Sequence, residues 1–407
     1  MNKKWIMIMV MVLLLSGCGT KEADQDTNTR EVSSKAVPME CWDITRWCKE
    51  EGDFGDSGIV YEDKVIEFKD AVVEEMLRNM IGKPEGDVYI SDLQEIHSIT
   101  MHDDGYDAEY YSNLQQPANG NRIPLSDGPW EIKQMESLED LAYCYNLQAL
   151  SLSGIEIPSL EPLFDLPQLE KLSFIDGHLK HKAFPNDIMK QAGEIKTLQC
   201  ISFGRYELTT IEPLCHLPEL KSLEFNGTVV NQKVLEDIGK LPALTYFELG
   251  TCDPGVTGTS GYSTYWGDLT DGSFLLPLAE RLTVLCAAGG IDWNPEVLAK
   301  MTNLESMLIQ YAKDISFFEN MSKLRELHMY CCTPEDWSPL ASLGNMENLS
   351  IGGNMYTKIE IGLDDLRPLQ NLKYLDFSMT TIRDDCTSEE IIDTFPKLEA
   401  LRLFLWE

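Results

Sequence analysis

One pattern, L-x-x-L-x-L in apolar residues, recurs eleven times along this chain and leaves few folds open to it. Its copies begin at Leu147, Leu169, Leu198, Leu220, Leu244, Leu282, Leu304, Leu324, Met346, Leu372 and Leu398. Most starts lie 20–29 residues apart, room for one strand and a short return path. The second and third apolar positions are two residues apart, so they share one face of a strand. The first enters the core from the preceding turn. A single strand of this kind cannot bury its apolar side chains. A stack of them, about 4.8 Å apart, builds one continuous parallel sheet over a common core.

The return paths differ from repeat to repeat. Glu161-Pro162-Leu163, Glu212-Pro213-Leu214, Ser338-Pro339-Leu340 and Arg367-Pro368-Leu369 place a proline where a regular helix would need a backbone donor, so short turns are expected there. Asn294-Pro295 reads as an N-cap followed by proline at the first helical position, with a short helix over Glu296–Met301. Val234–Gly239 and Ser388–Thr394 read as helices too. Upstream, Phe68, Val72, Val73, Met76, Leu77 and Met80 are spaced as one face of an amphipathic helix. Gly82-Lys83-Pro84-Glu85-Gly86, Asp92-Leu93 and the strand-like Ile96-x-x-Ile99-x-Met101 follow it.

These repeats resemble bacterial surface leucine-rich-repeat proteins of the internalin-like type. The resemblance covers about residues 67–407. It implies an α/β solenoid: a curved parallel sheet, short helices and turns on the convex side, and a helical N-terminal cap over residues 67–101. It also implies a protein-binding or adhesion role. Residues 102–146 form an irregular segment with at most one degenerate repeat. Residues 147–407 carry the repeats, interrupted by an inserted loop at 250–281. The family's asparagine after the last leucine survives at Asn354, while Thr228, Cys252, Cys332 and Thr380 take that turn position elsewhere.

The first residues read as an address. Lys3 and Lys4 precede an apolar run from Trp5 to Leu15, shorter than the roughly 20 residues a spanning helix needs. Leu15-Ser16-Gly17-Cys18 resembles a lipoprotein lipobox, which implies cleavage after residue 17 and a diacyl (palmitate-type) anchor on Cys18. The alternative is a plain secretory signal with an incidental cysteine. Residues 18–40 are polar and poor in aromatics, a flexible tether with a root-mean-square span of roughly 25 Å. Residues 41–66 form an N-terminal flank. The expected location is the extracytoplasmic side of a bacterial cell membrane, or the outer membrane in a source that has one. The lipid is then the only membrane contact.

The formal net charge is −34, from 33 Lys and Arg against 67 Asp and Glu. Such a surface repels phosphate backbones, which excludes nucleic-acid binding by charge and favours a neutral or basic partner. That partner is an unidentified protein or, in the alternative, a cell-wall carbohydrate.

Chemistry finds little support. There is no G-x-S-x-G, P-loop or kinase set. No cofactor, metal or catalytic residue is assigned, and the chain is read as a non-enzyme, an envelope enzyme being the rival class. A buried cluster of acids with shifted titration would favour that rival. His178 and His181 alone make too few ligands for a metal. Asp103-Asp104-Gly105-Tyr106-Asp107 lacks the calcium-loop spacing. Cys41 and Cys48 are a candidate disulfide, with connectivity open. The other cysteines scatter over repeat positions as small apolar residues.

The sheet face opposite the leucines is the natural binding surface. One row runs Ala149, Lys171, Cys200, Ser222, Tyr246, Val284, Ser306, Glu326, Asn348, Tyr374, Ala400. The next runs Ser151, Ser173, Ser202, Glu224, Glu248, Cys286, Leu308, His328, Ser350, Asp376, Arg402. Tyr246, Glu248, Glu326, His328, Tyr330, Tyr374 and Asp376 are the candidate contacts. Tyr262, Tyr265 and Trp266 of the inserted loop join them. The last strand offers an edge for pairing with a second copy. The high charge opposes that association, so a monomer is expected, with an edge-paired dimer as the alternative.

Overall fold

The computed structural model describes residues 57–102, 135–176, 182–250, 272–287, 293–354, 357, 359–383 and 386–405. They fall into two compact units, one drawn from Asp43–Val256 and the other from Thr257–Glu407. Among the described residues no helix is long and apolar enough to cross a membrane.

In the first unit, Asp70 caps helix α1 (Ala71–Met80) by accepting from the backbone N–H groups of Val72 and Val73. Its other carboxylate oxygen accepts from Glu136 N at 2.6 Å and Ser137 N at 3.0 Å. Asp140 accepts in turn from the N–H groups of Lys69 and Asp70. Two buried acids thus fasten the helix start to a segment some 70 residues on. The strands follow as β1 (Ser98–His102), β2 (Ala149–Ser153), β3 (Lys171–Ile175), β4 (Lys182–Ala183), β5 (Cys200–Gly204), β6 (Tyr206–Leu208), β7 (Ser222–Asn226), β8 (Val229–Val230) and β9 (Tyr246–Leu249). β1, β2, β3, β5, β7 and β9 pair side by side, all parallel and in register. β1 pairs directly with β2. β4, β6 and β8 form a second, small parallel sheet. Helices α2 (Asn186–Ala192) and α3 (Gln232–Ile238) and short 3-10 turns at Glu161–Leu163 and Glu212–His216 supply the return paths.

The second unit repeats the plan. Its strands are β10 (Val284–Ala287), β11 (Ser306–Gln310), β12 (Glu326–Tyr330), β13 (Asn348–Gly352), β14 (Ile359–Ile361), β15 (Tyr374–Ile382) and β16 (Ala400–Leu405). β10 to β13, β15 and β16 form the parallel ladder, and β14 pairs with the far end of β15. Helices α4 (Pro295–Leu298), α5 (Leu363–Leu366) and α6 (Ser388–Thr394) alternate with 3-10 turns at Ser316–Asn320 and Ser338–Ser342. The proline-bearing returns at Glu161, Glu212 and Ser338 are all 3-10 turns, as the missing donor requires. Each unit is a leucine-rich-repeat solenoid of α/β class.

The repeat's apolar residues are buried from Leu147 to Phe377, whereas Leu398, Leu401 and Leu403 of the last repeat are half-buried. In the first unit phenylalanine takes the third repeat position at Phe174, Phe203 and Phe225 and the second at Phe247. Phe174, Phe203, Phe225 and Phe247 form a run of ring contacts, stacked, tilted and edge-on in turn, with ring centroids 5.9, 6.2 and 5.9 Å apart. Phe184 inserts edge-on against Phe203 at 5.0 Å. Aromatic pairs at this separation add about 0.5–1.5 kcal/mol each to their burial.

Six of the described repeats leave their strand by the same device. The residue after the fifth strand position is left-handed: Gly154, Arg205, Gly227, Tyr311, Cys331 and Met379, with φ between 52° and 68°. At Gly154, Arg205, Tyr311 and Cys331 its N–H donates to the terminal carbonyl of the next strand, at 2.7–3.0 Å. A left-handed turn costs a non-glycine residue roughly 1–2 kcal/mol, and here a ladder bond offsets that cost. The following side chain then reaches back one repeat. Thr228 Oγ1 donates to Phe203 O at 2.6 Å, Cys332 Sγ to Ile309 O at 3.6 Å, and Thr380 Oγ1 to Ile351 O at 3.0 Å. Threonine and cysteine therefore do the work of an asparagine in binding the previous strand's carbonyl. A second ladder uses true asparagines. Asn303, Asn345 and Asn371 donate to the carbonyls of Glu280, Ser322 and Gly344.

Candidate functional site

The sheet face opposite the leucines carries the charged residues, but it is not a solvated face. Lys171, Cys200, Ser222, Tyr246, Val284, Ser306 and Glu326 of one row are buried. So are Ser151, Ser173, Ser202, Glu224, Glu248, Cys286, Leu308, His328 and Ser350 of the next. Alternation fixes which side chains share a face, not what lies upon that face. The accessible part lies at the end of the second unit, where Tyr330, Tyr374, Asp376, Ser378 and Arg402 are half-buried.

In the first unit the cluster is built on β3, β5, β7 and β9. Strand register places Ser173, Ser202, Glu224 and Glu248 in one line across the sheet. Tyr246 donates its hydroxyl to Glu248 Oε2 at 2.7 Å, and Ser222 Oγ lies 3.4 Å from Glu224 Oε1. Glu224 Oε2 and Ser173 Oγ have no hydrogen-bond partner. Burial pushes the Glu248 carboxyl up to about 8, and the neighbouring Glu224 carboxylate adds to the rise. Burial raises Glu224 as well, against the pull of Lys171 and hydrogen bonds from Ser202 and Ser222.

In the second unit the site is built on β11 to β16. Glu326 faces His328 across one pleat, with Oε1 at 3.1 Å from His328 Nε2. Ser306 Oγ donates to Glu326 Oε2 at 3.3 Å. His328 Nδ1 is buried without a hydrogen bond. Register carries the line on through Ser350 and Asp376 to Arg402. Asp376 accepts from Ser378 Oγ at 2.9 Å and lies 3.6 Å from Arg402 Nη1. Burial raises the Asp376 carboxyl, and Arg402, the Ser378 and Ser350 hydroxyls and His328 oppose the rise. The Tyr330 ring lies against Gly352 of the next strand. A Cβ at Gly352 would meet its ring at 3.0 Å, so this glycine makes room for the tyrosine.

The structure therefore brings Tyr246 and Glu248 together in one unit, and Glu326, His328, Tyr330, Tyr374 and Asp376 together in the other. Tyr262, Tyr265, Trp266, Cys18, Cys41 and Cys48 lie outside the described residues, as do Cys252, His178, His181 and the acidic run from Asp103. Lys171, Glu224, Ser350 and Arg402 belong to the clusters although nothing in their local sequence marks them. Only the two-residue alternation shared with their neighbours does. Cys144, Cys200, Cys286, Cys331 and Cys332 are buried, while Cys215 and Cys386 are half-buried. Among the described residues no group of three or more His, Cys, Asp or Glu could hold a metal ion. The hydrogen bonds of His328 and Glu326 join an imidazole, a carboxylate and a hydroxyl donor. They do not align a nucleophile with a base. The arrangement is suited to recognition by hydrogen bonds and charge.

No family model matches the chain, and no curated protein matches it in sequence. Among solved structures it is similar to an internalin from Listeria monocytogenes, with 16% identity over 83% of this chain and 82% of that one and a TM-score of 0.45. It is similar to a leucine-rich-repeat protein of Leptospira interrogans at 19% identity, covering 66% of this chain and 69% of that one with a TM-score of 0.42. The leucine-rich-repeat domain of APL1B is a third, at 15% identity, 61% and 67% coverage and a TM-score of 0.36.

Proposed function

We propose that this protein is an extracytoplasmic lipoprotein, held to a bacterial membrane by acyl chains on Cys18. It recognises a protein partner with the polar sheet face of its second unit. Helix α1 shields the N-terminal end of the repeat core. The observation that carries the reading is the line His328, Ser350, Asp376, Arg402, flanked by Glu326 and the half-buried Tyr330 and Tyr374. The same row is apolar at Cys286 and Leu308, both fully buried, so the repeat itself does not require charge there. Burying charged groups is costly even when they are paired. Charges retained beside half-exposed tyrosines are the chemistry of protein recognition surfaces. Paired, orienting charges give such a face specificity, because a wrong partner leaves them unsatisfied.

Two experiments test the two halves. Cells carrying Cys18→Ala and grown with labelled fatty acid should yield unlabelled protein, and equal labelling of variant and wild type overturns the anchor. Immobilised protein exposed to cell-surface and secreted proteins should retain a partner that Asp376→Lys releases. Equal retention by the variant places recognition elsewhere.

A further inference from the structure

We propose that β16 is an acceptor edge for strand addition, which takes an extended segment of a partner protein with the residue order basic, any, apolar, acidic, apolar. Among the described residues β16 has one neighbouring strand, β15. The backbone shows what its other side offers. In five successive ladders of the second unit one carbonyl accepts two N–H groups of the following strand. Thr283, Glu305, Arg325, Glu347 and Lys373 do so at 2.8–3.2 Å. Glu399 stands next in that line, and no N–H of a described residue reaches its carbonyl. The apolar side chains repeat the message. Leu398, Leu401 and Leu403 are half-buried, whereas Leu372, Leu375 and Phe377, their equivalents one repeat earlier, are fully buried. Edges that proteins keep from pairing are commonly short or carry lysine or proline, and β16 has six residues and neither.

The charge pattern names the occupant. The residues just before these strands form an outer row in register: Glu305, Arg325, Glu347, Lys373 and Glu399. Its sign alternates at every step. Lys373 Nζ lies 2.7 Å and Arg325 Nη1 3.8 Å from the Glu347 carboxylate. Glu399 closes the row, exposed, with the Lys373 charge on one side of it. A basic residue on an added strand continues the alternation. On the sheet face Asp376 is followed by Arg402, 3.6 Å away, so the next place in that row suits an acid. Leu401 and Leu403 call for apolar residues between and beyond. Opposite charges on neighbouring strands attract and like charges repel, which makes the pattern selective. Backbone hydrogen bonds then supply affinity, and alternate side chains supply specificity. β15 carries the same order, as Lys373-Tyr374-Leu375-Asp376-Phe377, held between β13 and β16. Its sequence therefore supplies a probe.

The test is fluorescence anisotropy of a labelled peptide copying residues 370–379, titrated with the full chain in detergent micelles. Binding should be saturable, and its absence overturns the site. Tyr374 donates its N–H to the preceding strand, so by alternation the N–H of Asp376 faces that way and the N–H of Leu375 faces the other. N-methylation of the peptide at the residue copied from Asp376 should weaken binding about tenfold or more, and at the residue copied from Leu375 less than about threefold. A charge swap gives an answer that no folding defect can blur. The wild type should prefer lysine to glutamate at the peptide's Lys373 position about fivefold, and Glu399→Lys should reverse that preference. Equal binding of the two methylated peptides, or a preference that Glu399→Lys leaves unchanged, overturns the proposal. So does a dimer of the chain, seen by light scattering, that excess peptide does not dissociate, because a second copy then holds the edge. Glu399 lies on the outer row and off the sheet face, so failure here and failure of the sheet-face partner read out separately.

Discussion

Replacing Glu248 with glutamine should change how this protein's stability depends on pH, with a sign that the buried pair dictates. A free glutamate titrates near 4.5, whereas burial and Glu224 hold Glu248 at about 8 in the folded chain. Between those values the native state keeps a proton that the unfolded state has lost. Stability is then full below about pH 4.5 and falls as pH rises toward 8. One proton difference is worth about 1.4 kcal/mol per pH unit, so from pH 5.5 to 7.5 the loss is about 3 kcal/mol. Glutamine keeps an oxygen to accept from Tyr246 and carries no proton to lose. The variant should therefore gain about 3 kcal/mol on the wild type across that interval. Comparing the two proteins cancels the acids remote from this pair, which titrate alike in both. The readout is hydrogen exchange by mass spectrometry on peptides spanning β7 and β9, followed through urea at pH 5.5, 6.5 and 7.5. A local readout avoids assuming that both units unfold together. Parallel stability curves for the two proteins would refute the reasoning, since they would mean that Glu248 titrates normally.

Other outcomes follow from the packing. Phe203→Ala, which empties the centre of the phenylalanine stack, should cost about 3–5 kcal/mol, read as lost exchange protection in β3, β5 and β7 first. Asp70→Ala removes an acceptor that binds four backbone N–H groups, so helix α1 should lose about 2 kcal/mol or more, seen as earlier urea release of residues 71–80. Gly227→Ala should cost only about 1 kcal/mol by urea melting, because the equivalent turn already holds Arg205, Tyr311 and Met379.

The repeat sheet was legible because its signal is long and periodic. The alternation of Leu150 with Leu152 or Leu349 with Ile351 states both strand and buried face, and the structure places each where the pattern does. Asn294-Pro295 and Thr387-Ser388 mark helix starts by local capping chemistry, which needs no tertiary context. The sheet of β4, β6 and β8 was not legible, since its two- and three-residue strands are shorter than any periodic signal. The left-handed turns at Arg205, Tyr311, Cys331 and Met379 were hidden for another reason. Glycine usually announces such a turn, and these side chains do not. Burial of Glu224, Glu248, Glu326 and His328 could not be read either. A polar residue opposite a leucine looks identical in sequence whether water or protein lies over it.

The proposed contact between the second unit's sheet face and a protein partner can be tested in living cells. Photo-crosslinking is the method. A photoreactive amino acid is placed in turn at Tyr330, at Tyr374 and at the exposed Lys397, which lies off that face in the turn after helix α6. One discrete crosslinked protein is expected from positions 330 and 374 and none from 397. The same product from 397 alone, with nothing from 374, would contradict it.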